Sequence, residues 1–369
     1  MVDEYMNDDV DIVTLPKVSL HDHLDGALRT ETIIELAESE GIDLPAEDPD
    51  DLADWFADAA NSGSLPTYLE TFDLTTAVLQ TSAALERAAR DYVLDLVDDG
   101  VVYGEVRWAP EQHLGGTLSL DEAVGAVRAG LRAGTEEARD RGHDIRVQQL
   151  LCAMRQNSAA TDIAELAVRN RMNGVAGFDI AGPEEGFPPS SHAAAFQYLA
   201  EEFMPVTVHA GEGAGLASIR DALITGRALR LGHGARIAED IEVLDERGDA
   251  FQVVMGQLAE WVKDRRIPLE LSISSNLQTG TIEAWGEEVE DHPFDLLYQL
   301  GFAVTVNTDN RLQSNTTLSD ELALLTDAFG YNLDDHETFQ LNAAEGAFLP
   351  VDEREELADV IEDGFAEVS

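Results

Sequence analysis

Eight short apolar runs, rich in Val, Ile and Leu, recur along the chain, and a helix-like or longer polar stretch separates each from the next. They cover residues 18–24, 101–108, 145–154, 175–181, 206–208, 229–231, 269–273 and 303–306. Several are nearly continuous in apolar residues, the pattern of parallel strands covered on both faces. Helical periodicity runs over 85–98, 121–138 and 192–202 and resumes after Leu318. Eight such strand-helix units predict a (β/α)₈ TIM barrel; a doubly wound open sheet is the competing architecture.

At 369 residues the chain could hold two average domains or one large barrel. No repeat or low-complexity linker divides it, so it reads as one domain over 1–369. The stretch 30–83 is longer than one crossover helix needs and predicts a helical insertion covering the barrel mouth, while the segment after Leu318 predicts a helical C-terminal tail. Within the insertion, Leu65, Tyr68, Leu69 and Phe72 share one helical face, which suits local core or a substrate lid.

Charge narrows the partners. The sequence carries 73 acidic against 23 basic residues, a formal charge of −50, and Lys17 and Lys263 are its only lysines. Such a surface repels phosphate backbones and anionic lipid, which argues against nucleic-acid and membrane binding. The acid is spread over every helix-like stretch and 44% of residues are hydrophobic, so this is a folded protein with a carboxylate coat. Molar salt shortens the Debye length to about 3 Å and relieves the mutual repulsion. The expectation is a salt-rich cytoplasm. Cys152, the single cysteine, excludes an intrachain disulfide and a thiolate zinc cluster and reads as a small buried hydrophobe. Nothing in the acidic N-terminal stretch or later marks export or membrane insertion.

Chemistry collects at the ends of the runs. The first ends in His21-Asp22-His23-Leu24-Asp25-Gly26, where two histidines two residues apart point to one side of a strand. The fifth leads into His209-Ala210-Gly211-Glu212, the sixth into His233, and the eighth into Asn307-Thr308-Asp309-Asn310. In a parallel barrel all of these ends meet at one face, where barrel enzymes place their chemistry. Each motif alone also has a plain structural reading: a satisfied buried histidine, or for Glu212 a carboxylate at a helix N-terminus. The other five histidines, His113, His143, His192, His292 and His336, lie in loops or helix-like stretches without ligand spacing. His21, His23, His209 and Asp309 are therefore the expected metal ligands. Three imidazoles and a carboxylate suit Zn²⁺, one per chain, though Fe²⁺, Mn²⁺ or Co²⁺ would also accept them. A divalent metal supplies hydroxide near neutral pH, His233 is placed to take up or steer the water proton, and a protonated Glu212 could donate to the substrate.

The ordered set of motifs resembles the adenosine deaminases of the amidohydrolase superfamily over nearly the whole chain. It comprises the 16–26 segment, Glu105-Val106-Arg107-Trp108-Ala109-Pro110, Phe178-Asp179-Ile180-Ala181-Gly182, the His209 and His233 motifs, Ser274-Ser275-Asn276-Leu277-Gln278-Thr279 and Asn307-Thr308-Asp309. The resemblance implies hydrolytic deamination of adenosine and 2′-deoxyadenosine in purine salvage, by a metal-bound hydroxide attacking purine C6. It implies Glu212 as donor to N1 and Asp309 as both ligand and contact to the water. His233 would orient and deprotonate that water, and His23 would also face the substrate. The Gly182 N–H would meet N3, Asp25 the ribose 5′-hydroxyl, and the Leu65, Tyr68, Leu69 and Phe72 face would become the apolar lid. One position departs: where many members carry a second Asp for purine N7, this chain has Asn310, as in a bacterial-type branch. An amide NH₂ can donate to N7 without titrating.

Two other readings stand beside this one. A deaminase of free adenine, AMP or a modified nucleoside is the nearer; Asp25 and the acidic charge oppose a 5′-phosphate. A metal-binding barrel without turnover is the other, and it would need neither Glu212 nor His233. Oligomeric state is not legible.

Overall fold

The computed structural model describes residues 6–7, 10–247 and 250–368. Eight parallel strands form its centre: β1 (Lys17–His23), β2 (Val101–Trp108), β3 (Arg146–Met154), β4 (Val175–Ala181), β5 (Thr207–Ala210), β6 (Arg230–His233), β7 (Leu269–Leu271) and β8 (Val304–Val306). Backbone pairing runs in order through β1 to β4 and again through β5 to β8. Parallel bridges between Phe178 and Val206 and between Asp22 and Asp309 join the two halves into a closed barrel. The second closure is a reciprocal pair, with the His23 N–H donating to the Asp309 carbonyl at 2.8 Å and the Asp309 N–H to the His21 carbonyl at 2.9 Å. The same contact closes the barrel and brings two site motifs together.

Strand positions match the apolar runs closely, and the exceptions have local causes. The run at 229–231 shifts to Arg230–His233, because the chain stays extended through Gly232 and pairs His209 with Gly232 and Ala210 with His233. A Cβ on Gly232 would lie 3.1 Å from His209 Cα, so glycine allows that close approach. Between β6 and β7, an antiparallel hairpin pairs Ile241–Arg247 with Ala250–Met255, where only a polar connection was expected. Its first strand mixes Ile241, Val243 and Leu244 with Glu242, Asp245, Glu246 and Arg247, without a strict period of two, which let the segment read as a polar connection.

The insertion after β1 folds into α1 (Thr30–Glu40), α2 (Pro49–Ala60), α3 (Leu65–Leu69) and α4 (Phe72–Val78), followed by α5 (Ser82–Asp98). Acidic residues of the coat also start helices. Asp48 accepts the N–H groups of Asp50 and Asp51 ahead of Pro49, and Ser119 with Glu122 closes a capping box at Leu120–Asp140. Such caps contribute about 1 kcal/mol each. The C-terminal helices Leu333–Gly346 and Val351–Ala366 pack Ala343, Ala344, Leu357, Ile361 and Phe365 against Val18, Leu20 and Tyr103, so the tail covers the start of β1 and β2.

The barrel interior carries a charged layer. Arg107 on β2 meets Asp179 at 2.8 Å and Glu270 at 2.7 Å; Arg230 on β6 meets Glu270 at 2.5 Å and Glu105 at 2.7 Å. All five side chains are buried. Two guanidinium groups against three carboxylates leave one negative charge beneath the mouth. Burying it unpaired would be costly, which favours a cation above.

Candidate active site at the barrel mouth

The ends of β1, β5 and β6 and the segment after β8 deliver His21, His23, His209, His233 and Asp309 to one place. His23 Nε2 lies 3.2 Å from His209 Nε2, and Asp309 Oδ1 lies 3.1 Å from His21 Nε2 and 3.4 Å from His23 Nε2. The ligand atoms of His21, His23, His209 and Asp309 all fall within 4.8 Å of one another. Four ligands held 2.0–2.1 Å from a tetrahedral metal are separated by roughly 3.3 Å, so this set fits such an ion. His21 Nε2 is buried and, among the described residues, makes no well-aligned hydrogen bond even to Asp309 Oδ1 at 3.1 Å, as expected of a nitrogen reserved for a metal. Behind the ligands, His21 Nδ1 donates to Glu270 Oε2 at 2.9 Å and His209 Nδ1 sits 2.8 Å from Asp179 Oδ2. These carboxylates belong to the charged layer and orient the rings. Asp22, between the two β1 histidines, stays out of the cluster.

His233 and Asp309 hold left-handed backbone conformations, φ +62° and +59°, outside the glycine-favoured norm for that region. Strain of order 1 kcal/mol or more at each is kept by the surrounding pairing, and it aims both side chains inward.

Glu212 follows β5 in a tight turn and is buried with its Oε2 3.6 Å from His233 Nε2. Burial, then the negative charges of Asp309 and Glu184, push its pKa well above the usual carboxylate range. It is therefore held as the neutral acid, able to donate a proton. The turn itself is set by Glu184, which accepts the N–H groups of Gly211, Glu212 and Ala214 at 2.8, 3.0 and 3.0 Å.

A cavity of about 340 Å³ opens over this group. Its walls include His23, His209, Glu212, His233 and Asp309, with Asp25, Gly182 and Asn310 on the barrel side and Leu65, Tyr68, Leu69 and Phe72 from α3 and α4 across it. All the sequence-derived substrate positions thus share one chamber; His21 lies behind it, in the ligand cluster alone. Burial raises the Asp25 pKa to about 6. Gly182 has φ +99°, and a Cβ there would meet Gln156 Oε1 at 2.6 Å, so only glycine leaves its backbone open. Asn310 packs against Gly26, whose bare Cα makes room for the amide.

Several residues with a part in this geometry were given no role by the sequence, although Asp179, Ser275 and Asn276 lie in its motifs. Glu184, Asp179 and Glu270 act through partners distant in sequence. Ser275 donates to Asp309 Oδ2 at 2.6 Å, and Asn276 meets His233 Nδ1 at 2.9 Å. Both lie in the Ser274–Thr279 motif, whose presence was evident but whose partners were not. Cys152 is buried as expected, and it also lines the cavity and approaches Asp179 Oδ2 at 3.8 Å.

Comparison with known proteins shows the family and the fold. The chain is 54% identical over 355 residues to adenosine deaminase 1 of Streptomyces coelicolor, covering 96% of this chain and 88% of that one. An adenine deaminase from Arthrobacter aurescens shares the fold with a TM-score of 0.80 at 24% identity, over 95% of this chain and 98% of that one. A Burkholderia ambifaria amidohydrolase with bound Zn shares it with a TM-score of 0.80 at 23% identity, over 96% and 94%. The sequence profile of the adenosine deaminase family matches residues 16–364, and the chain belongs to that family.

Proposed function

We infer that the protein hydrolyses adenosine and 2′-deoxyadenosine to inosine and deoxyinosine, releasing ammonia, in purine salvage. The observation that carries this reading is a Glu212 held as the neutral acid, with its carboxyl within 4.8 Å of His233 and of Asp309, a member of the His21, His23, His209 and Asp309 cluster beneath one cavity. His21, His23, His209 and Asp309 would hold the metal, and their donor set suits Zn²⁺. Bound there, it would lower the pKa of a water toward neutrality. Glu212 protonates N1 of the purine, which makes C6 electrophilic; water adds at C6 and gives up a proton to Asp309, that proton passes to the 6-amino group, which leaves as ammonia, and the remaining hydroxyl proton returns to Glu212 as the C6 carbonyl of inosine forms. His233 and Asp309 hold the attacking water.

Asp25 takes the ribose 5′-hydroxyl, the Gly182 N–H takes N3 and the Asn310 amide takes N7, while His23 borders the base. Leu65, Tyr68, Leu69 and Phe72 cover it and exclude water, so the 30–83 insertion serves as the lid of a single barrel domain. About 340 Å³ sits at the low end of small-molecule sites, roughly 300–1,000 Å³, and suits a nucleoside. The cavity walls hold Asp25, Glu70 and Asp73 but no Lys or Arg, which disfavours a 5′-phosphate. Among the described residues no helix is long and apolar enough to cross a membrane. The carboxylate coat supports a salt-rich cytoplasm as the setting.

Ultraviolet absorbance with adenosine, deoxyadenosine, adenine and AMP in high salt tests the reading. Turnover of the two nucleosides far above the rest supports it; adenine as the preferred substrate would replace it with the free-base reading. No change with any aminopurine would leave a metal-binding barrel without turnover.

A further inference from the structure

Behind His233, on the side away from the cavity, three groups form a hydrogen-bonded line that ends on the backbone. The Phe294 N–H donates to His292 Nδ1 at 3.0 Å. A backbone N–H can only donate, so Nδ1 is the acceptor and a neutral His292 carries its proton on Nε2. Burial pushes the His292 pKa down to about 3, which keeps the ring neutral. Its Nε2–H then donates to Asn276 Oδ1 at 3.1 Å, and this fixes which way the amide faces. Asn276 Nδ2 is left to donate to His233 Nδ1 at 2.9 Å. Asn276 and His292 are buried, and neither lines the cavity.

We propose that Asn276 and His292 are positioning residues that hold His233 as its Nε2–H tautomer, so that a ring N–H faces the reaction site. The inference rests on the deaminase reading and narrows one role within it. Nε2, which faces Glu212 at 3.6 Å, is already protonated in this tautomer. In the other tautomer the Nδ1 proton would point at the Asn276 NH₂. Turning that amide to accept it would set the NH₂ against the His292 Nε2–H. Each link in the line therefore favours the Nε2–H tautomer of His233. The ring is left as a neutral donor that orients the water and stabilises negative charge developing near it.

Ring ¹⁵N NMR of metal-loaded protein labelled at histidine reads the tautomer directly, and His233→Gln identifies the His233 signals by their loss. Wild type should show an unprotonated Nδ1 and a protonated Nε2 for His233. Asn276→Asp supplies a carboxylate that accepts from both rings, so the His233 pattern should reverse or show both nitrogens protonated. In that variant kcat should fall about 10- to 100-fold with KM little changed, the usual scale for outer partners of a reactive group. An unprotonated Nε2 in wild type overturns the inference whether or not adenosine is consumed, as does an Asn276→Asp protein with unchanged His233 signals. Absence of aminopurine turnover with the wild-type pattern as expected counts against the functional reading alone.

Discussion

Glu184 Oε2 accepts the backbone N–H of Glu212 at 3.0 Å, so one buried carboxylate clamps the turn that presents another. Its charge also helps keep Glu212 protonated, after burial and Asp309. The active form is the neutral acid, so turnover is lost as pH rises through the Glu212 pKa. Glu184→Gln keeps an acceptor but removes a negative neighbour, which lowers that pKa. The alkaline limb of the kcat profile should move to lower pH than in wild type; an unmoved limb would show that the Glu184 charge does not reach Glu212.

Asp309 sits within 3.4 Å of two ligand nitrogens and accepts from Ser275. Asp309→Ala removes a ligand and a partner of the water together, so metal content by elemental analysis and deamination rate should both fall, the rate by at least about 10²-fold. Full metal content after dialysis would place Asp309 outside the ligand set.

His113 packs against Trp108 and its Nδ1 donates to the Leu79 carbonyl at 3.1 Å. Burial lowers its pKa from 6.5 to about 4. Between those values the unfolded chain binds a proton that the folded chain refuses, so this group's contribution to stability falls as pH drops below 6.5. The loss reaches roughly 1.4 kcal/mol per pH unit, or about 2 kcal/mol between pH 7 and 5. In urea unfolding at constant high salt, His113→Gln should lose that much less stability over the same interval. Equal losses in the two proteins would mean that His113 titrates normally in the fold.

The net charge of −50 predicts salt-dependent folding. Circular dichroism should be native in molar KCl and decay as salt is dialysed toward about 0.01 M, where the Debye length is about 30 Å. A full native signal at the lowest salt would contradict the salt-adapted reading.

The barrel and the His/Asp cluster at its mouth were legible because both are written locally. Each strand is a contiguous apolar run, and His21, His23, His209, His233 and Asp309 lie at or just past strand ends, where barrel topology makes them meet. The partners that tune them are not written locally. Glu270 lies 249 positions from His21, and Glu184 lies 28 from Glu212, on separate elements whose contact exists only once the barrel closes. Arg107 and Arg230 lie within the runs read as apolar strands; their shared carboxylates emerge only from tertiary pairing. His292 showed no ligand spacing because it binds an amide and a backbone N–H rather than a metal.

The central claim is that Glu212 supplies the proton that opens the purine ring to attack while the metal set stands independently of it. Glu212→Gln, loaded with metal and assayed on adenosine beside wild type, tests this most directly. Metal content should match wild type while kcat drops by about 10²- to 10⁴-fold, the scale for a positioned proton donor. Near-normal turnover in the metal-replete variant would contradict it.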